Sequence, residues 1–218
     1  MKRGTKVGGI ASIIQALCYV FGFTLLATAM NPGNVENWTQ LERLGFILER
    51  QNLFIVWNTI IYVVFGIALV VLTAVLHRTL EHSASLMMSI ASPFGFIWSG
   101  LVIASGMVAT VGLSKVAQTY ERTPQDAVVA WSIIGTVQDG IGGGIEIVGG
   151  IWVLLVSIAA IRGSTLFPKP LNWLGLVVGT AGVITIVPAL SGFGAVFGLT
   201  QILWFIGVGV VLLRADDA

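Results

Sequence analysis

An α-helix needs about 20 consecutive, mainly apolar residues to cross a hydrocarbon layer. This chain offers such runs repeatedly, at residues 9–29, 53–76, 86–113, 127–161, 173–190 and 196–213. In lipid the backbone finds no water, so a spanning segment must satisfy its own N–H and C=O groups, as a helix does. The pattern therefore predicts an all-α, polytopic bundle of about six transmembrane helices. Composition supports this: 10% of the residues are charged and 56% hydrophobic, against roughly 25% charged in soluble domains. In water such a surface would expose large apolar patches. No polar stretch is long enough for a core of its own, so residues 1–218 read as a single membrane domain.

Several function classes find no support. The net charge of +1 gives no case for nucleic acid. The single cysteine, Cys18, allows neither a disulfide nor a cysteine-based zinc site within the chain. Walker, Gly-x-Ser-x-Gly and zinc-protease motifs do not occur, so no catalytic residue, metal or cofactor is expected. His77, Glu81 and His82 cluster beside the second run. The five-residue step does not keep both histidines on one helix face, and the group reads as an interfacial polar cap.

Lys and Arg placement sets the expected orientation. With the N-terminus inside, Lys2, Arg3, Lys6, Arg78, Arg162, Lys169 and Arg214 lie inside, and Arg43, Arg50, Lys115 and Arg122 outside. Both termini are thus expected in the cytoplasm. The basic start and Ala27-Thr28-Ala29 have the grammar of a cleaved signal. The first apolar run exceeds the usual 7–15 residues of such signals, so it reads as a retained span. In the first outer loop, Trp38, Leu41, Leu44 and Leu48 recur at helical spacing after the Asn31-Pro32-Gly33 break. This predicts a short amphipathic helix, lying on the outer surface or packed over the mouth of the bundle.

The fourth run carries the main anomaly. Asp139 and Glu146 stand near its middle among Gly135, Gly140, Gly142, Gly143, Gly144, Gly149 and Gly150. A charged acid at that depth costs about 2.5–3.5 kcal/mol on insertion scales, and such residues mark functional sites by default. Alternating steps of four and three put Gly135, Asp139, Gly142, Glu146 and Gly149 on one face of a helix. That face would be acidic and thinly covered, with Gly135, Gly142 and Gly149 allowing close approach of a helix, water or ligand. The glycines also weaken the helix by about 1 kcal/mol each, so a break is an open alternative. Gln138 on the same run, Gln15 in the first and Gln201 in the sixth are the polar candidates to support the acids. A packing seam with hydrogen-bonded structural acids is the competing reading.

Residues 144–162, Gly-Ile-Glu-Ile-Val-Gly-Gly-Ile-Trp-Val-Leu-Leu-Val-Ser-Ile-Ala-Ala-Ile-Arg, resemble small bacterial membrane proteins classed only as a domain of unknown function. So do the Phe167-Pro168 loop, the glycine-rich fifth run and the Trp-containing last run. The likeness is specific over residues 127–214. It implies a bacterial inner-membrane location and a six- or seven-helix bundle. It carries no activity, so no functional residue transfers.

The expected function is binding or transport of a proton, a cation or a small polar or amphiphilic ligand at Asp139 and Glu146, with the lipid bilayer as surroundings. The alternative is a non-transporting sensor or accessory subunit, docking a second copy or another membrane protein through its glycine seams.

Overall fold

The computed structural model describes residues 2–143, 146–163 and 166–215. Among the described residues every regular element is helical. Helix α1 (Lys2–Ala27) leads, through a turn in which the Asn31 side chain accepts a hydrogen bond from Gly33 N at 2.9 Å, to α2 (Gln40–Glu49). Helix α2 starts where the sequence supplies a reciprocal cap. The Glu42 N–H donates to Thr39 Oγ1 at 3.2 Å, and the Thr39 N–H donates to the Glu42 carboxylate at 2.7 Å. Its Leu44 is buried against Val116 and Ala127.

Helix α3 (Gln51–Asn58) runs through a π-helical segment, Thr59–Val64, into α4 (Phe65–Tyr120). The 56 residues of α4 are two arms joined at Ala84, whose φ of −146° and ψ of 50° leave the helical region. The arms run back on each other: Gly66 abuts Ile103, and His77 meets Ser92. Pro93 sits inside the second arm, which neighbouring helices make tolerable in an apolar bundle.

After Thr123, α5 (Pro124–Gln138) opens with proline at its first turn, where no N–H is missed. It passes through a second π-helical segment, Asp139–Gly143, toward α6 (Ile147–Gly163). Gly144 and Ile145, part of the glycine-rich stretch read above, lie outside the described residues. Helices α7 (Lys169–Ile184) and α8 (Phe193–Arg214) follow, joined by a short 3-10 turn at Pro188–Leu190.

Four stretches are long and apolar enough to cross a membrane: Gly4–Ala27, Gln51–Tyr120, Pro124–Gly163 and Phe193–Arg214. The second holds both arms of the α4 hairpin. The 16 residues of α7, about 24 Å of helix, are shorter than the roughly 30 Å of a hydrocarbon core.

Helices α1, α4, α6, α7 and α8 share one core, with Trp98, Trp152, Trp204 and Phe205 at its centre. The closest seam is α6 on α7. A Cβ on Gly150 would stand 2.6 Å from Val183 N and 2.7 Å from Gly179 O. Only glycine lets two backbones meet this way. The described ends of α1 and α8 meet at one end of the bundle, where Gly9 touches Gly209 and Leu213. The Ala84 bend lies toward this end too, since the chain leading to it passes Gly22 of α1 at Ile61 and then Gly8 at Val75. We call this the termini end and the opposite one the α2 end.

Candidate functional site

The structure breaks the fourth run where glycine is densest. Gly142 has φ +136°, a value closed to other residues without strain. Asp139 and Glu146 therefore lie on either side of a break and share no continuous helix face. Side chains of neighbouring helices take up the backbone groups freed there. Ser105 donates to the Gln138 carbonyl at 3.2 Å. The Glu146 N–H donates to Thr185 Oγ1 at 2.9 Å, and that hydroxyl donates to Gly182 O at 2.7 Å. The Glu146 carbonyl accepts from Gly150 N at 2.8 Å, so Glu146 sits at the entry to α6.

This break opens onto a cavity of about 320 Å³, within the range of small-ligand pockets. Its walls come from α1, α3, the Thr59–Val64 segment, both arms of α4, and the start of α8. The bulkiest wall residues are aromatic: Tyr19, Phe23, Trp57, Tyr62, Phe65 and Trp98. Tyr19 meets Phe65 edge-on at 5.4 Å between centroids, and Phe65 meets Trp98 at 5.6 Å. The Trp57 indole is held by a 3.1 Å hydrogen bond to Gly22 O. Among the described residues, Glu146 is the only carboxylate on the wall, and no Lys, Arg or His lines it. The carboxyl group lies within electrostatic reach of both Tyr19 and Tyr62.

The other residues singled out in the sequence are dispersed around this cavity. The Gln138 side chain lies near the hydroxyl of Tyr62, a wall residue. Asp139 is exposed on the protein surface and is not among the residues that line the cavity. Gln15 of α1 and Gln201 of α8 are fully buried. Each is about one helical turn from a cavity residue, Tyr19 and Gly198 respectively. Gly149 packs on Trp98, where a Cβ on the glycine would stand 2.5 Å from the indole Cε2. Gly135 by contrast has nothing within 4 Å, and Gly142 has only ordinary contacts. His77 donates or accepts with Ser92 Oγ at 2.7 Å and pairs with Glu81 at 3.2 Å, away from the cavity.

Sequence reasoning missed the aromatic walls and the Thr59–Val64 segment. A signal for the first existed: two of the chain's three tyrosines, Tyr19 and Tyr62, interrupt apolar runs. The second has none, because Thr-Ile-Ile-Tyr-Val-Val reads as ordinary apolar helix.

A helical, apolar bundle holding one carboxylate in an aromatic cavity is the class that fold and site define. The chain belongs to the family described as domain of unknown function DUF4386, whose family model matches residues 7–215. No curated protein and no solved structure matches it.

Proposed function

We propose that this chain is a six-crossing membrane protein that binds a small amphiphilic cation in the aromatic cavity, with Glu146 as the counter-charge. The observation that carries the reading is Glu146 itself: a carboxylate on an aromatic wall that holds no basic residue among the described residues. In an apolar surrounding such a carboxylate either holds a proton or takes a cation. Aromatic faces favour a cation with apolar groups, because the ring quadrupole attracts the charge while the ring area covers the rest. A proton and an organic cation then compete for one group, the arrangement an exchanging transporter uses. The two π-helical segments bordering the site have irregular ladders, a feature frequent at functional sites. In this reading the α4 arms count as two crossings and the capped helix α2 lies at the membrane surface, with both termini in the cytoplasm.

The test uses benzyltrimethylammonium as probe and Trp57 and Trp98 fluorescence as readout, on protein in lipid nanodiscs. Saturable quenching is expected, with affinity reduced at least 10-fold, about 1.4 kcal/mol, by Glu146→Gln. The neutral carbon isostere neopentylbenzene should bind more weakly than the cation. Equal affinity in wild type and Glu146→Gln defeats the reading.

One observation favours a second reading, an accessory subunit. On α5, Gly135 has open space beside it and Val129, Ile133 and Val137 are exposed, a face on which another membrane helix could lie. A stoichiometric protein partner, together with no cation binding, would select it.

A further inference from the structure

Below the cavity floor the core is not dry in its chemistry. Gln15, Gln201, Thr73, Trp152 and Ser157 are each at most 1% exposed. Among the described residues, both amide atoms of each glutamine, both hydroxyls and the Trp152 indole nitrogen lack a hydrogen-bond partner. A buried polar group left unpaired is destabilising, and internal water is the usual remedy where two or more such groups converge. Convergence is explicit at Gly95. A Cβ there would stand 2.5 Å from Thr73 Oγ1 and 2.5 Å from Trp152 Nε1. The two polar atoms are thus within about 5 Å of each other, the span one bridging water covers. Most hydroxyls on these helices bond back to their own backbone, as Thr79 does to Val75 O and Ser99 to Gly95 O. Thr73 does not; its hydroxyl is turned to the notch.

The notch lies between the cavity and the termini end. Above it, Trp98 of the cavity wall contacts the Trp152 ring at 5.8 Å. Gln15 and Gln201 lie about a turn below Tyr19 and Gly198 of the same wall. Beneath it, His77 follows Thr73 by one turn, Ser92 precedes Gly95 by one turn, and the two are joined at 2.7 Å. His77 then pairs with the partly exposed Glu81. The charged or titratable groups around this route are Tyr19 and Cys18 of α1 and Tyr62 at the cavity, and Arg78, Glu81 and His82 beside His77. Lys6 of α1 and Arg162 of α6 belong to the same end of the bundle.

We infer that the Gly95 notch and the glutamine layer are hydrated, and that they form the route by which protons pass between Glu146 and solvent at the termini end. This rests on the reading of Glu146 as the working carboxylate. When a cation takes its place beside Glu146, the carboxyl proton leaves through water, the Thr73 hydroxyl and the His77 imidazole, and is released at Glu81. One positive charge enters the site for each one that leaves.

Two measurements test this. The first is hydrogen–deuterium exchange of the Trp152 indole N–H by NMR, assigned with Trp152→Phe. Exchange within minutes is expected despite full burial, slowed at least 10-fold by Thr73→Val and restored by Thr73→Ser. An indole protected for many hours in the wild type overturns hydration of the notch. The second uses liposomes holding a trapped pH indicator. Benzyltrimethylammonium added outside should produce a burst of acid in the lumen. Thr73→Val and His77→Phe should slow that burst at least 10-fold while leaving the fluorescence-measured affinity within twofold. A burst unchanged in both variants, or none in a wild type that binds the cation, overturns the proton route. Absence of cation binding in the wild type would instead defeat the functional reading, while the indole exchange still decides hydration.

Discussion

Residues 135–143 and residues 149–182 are both rich in glycine, and the two regions use it in opposite ways. Around Gly150, Gly179 and Gly182, the missing side chains let α6 and α7 touch backbone to backbone. Around Gly135, Gly140 and Gly142, little or nothing among the described residues fills the space, and the helix comes apart at Gly142. Composition alone does not separate these cases, since a glycine lowers helix stability by the same intrinsic amount in both. The difference lies in what the neighbouring helix offers. Alongside α6 runs a second glycine-bearing helix at contact distance. Alongside the break, the second arm of α4 presents Leu101 and Ser105 at 3.7–3.8 Å from the Gly142 Cβ position, close enough to cap a carbonyl but not to seal a seam.

The comparison can be broken by substitution. Gly150→Leu should have the largest effect, because the new side chain meets the Val183 and Gly179 backbone, which cannot move aside. We expect a loss of 3 kcal/mol or more, at or beyond the top of the roughly 1–3 kcal/mol range for overpacking, seen as loss of monodisperse protein on heating in detergent. Gly142→Ala should cost about 1–3 kcal/mol through its positive φ alone, with a matching fall in midpoint in the same assay. Gly135→Ala should go the other way, stabilising by about 0.5–1 kcal/mol, since its helical position is open and Ala is the better helix former. A destabilising Gly135→Ala would show that the open face is covered after all.

The smallest effect serves as a control outside both regions. Hydrogen bonds from the Thr39 backbone and side chain hold the Glu42 carboxyl below the usual glutamate range. A depressed folded pKa adds stability above the unfolded value, lost as pH falls through the folded one. Amide protection of α2 by hydrogen exchange should therefore drop between about pH 5 and pH 3, with no change at α6 or α7, and Thr39→Ala should weaken the dependence.

Much of the fold was legible because the bilayer imposes a simple rule on sequence: apolar runs of sufficient length become helices. The runs at residues 9–29, 127–161 and 196–213 correspond to long apolar helical stretches. The run at 53–76 corresponds to α3, the Thr59–Val64 segment and the first arm of α4, and the run at 86–113 to its second arm, joined without a loop through Ala84. The helix after the first run was legible from the helical spacing of Trp38, Leu41, Leu44 and Leu48; the Thr39–Glu42 cap that starts it is what the structure adds. The fifth run was placed a few residues late, because Pro168 and Pro170 start α7 at Lys169 and the chain turns after Ile184.

The site was legible only in part. A carboxylate inside an apolar, glycine-rich run draws attention to Glu146 whatever the fold. Pairing it with Asp139 assumed an unbroken helix, and the geometry at Gly142 removed that assumption. Gln138 was close in sequence and stays close in space, through Tyr62.

By itself the sequence determined that this chain is a helical bundle with an acid in an apolar interior, because hydrophobic length and the energetic cost of a buried charge are properties of the residues alone. Only the tertiary structure decided which acid faces a cavity and what surrounds it. Tyr19, Tyr62, Phe65 and Trp98 come from three separate stretches of chain, and no local pattern encodes their meeting. That depends on how the helices pack, which glycine permits and the neighbouring backbone decides.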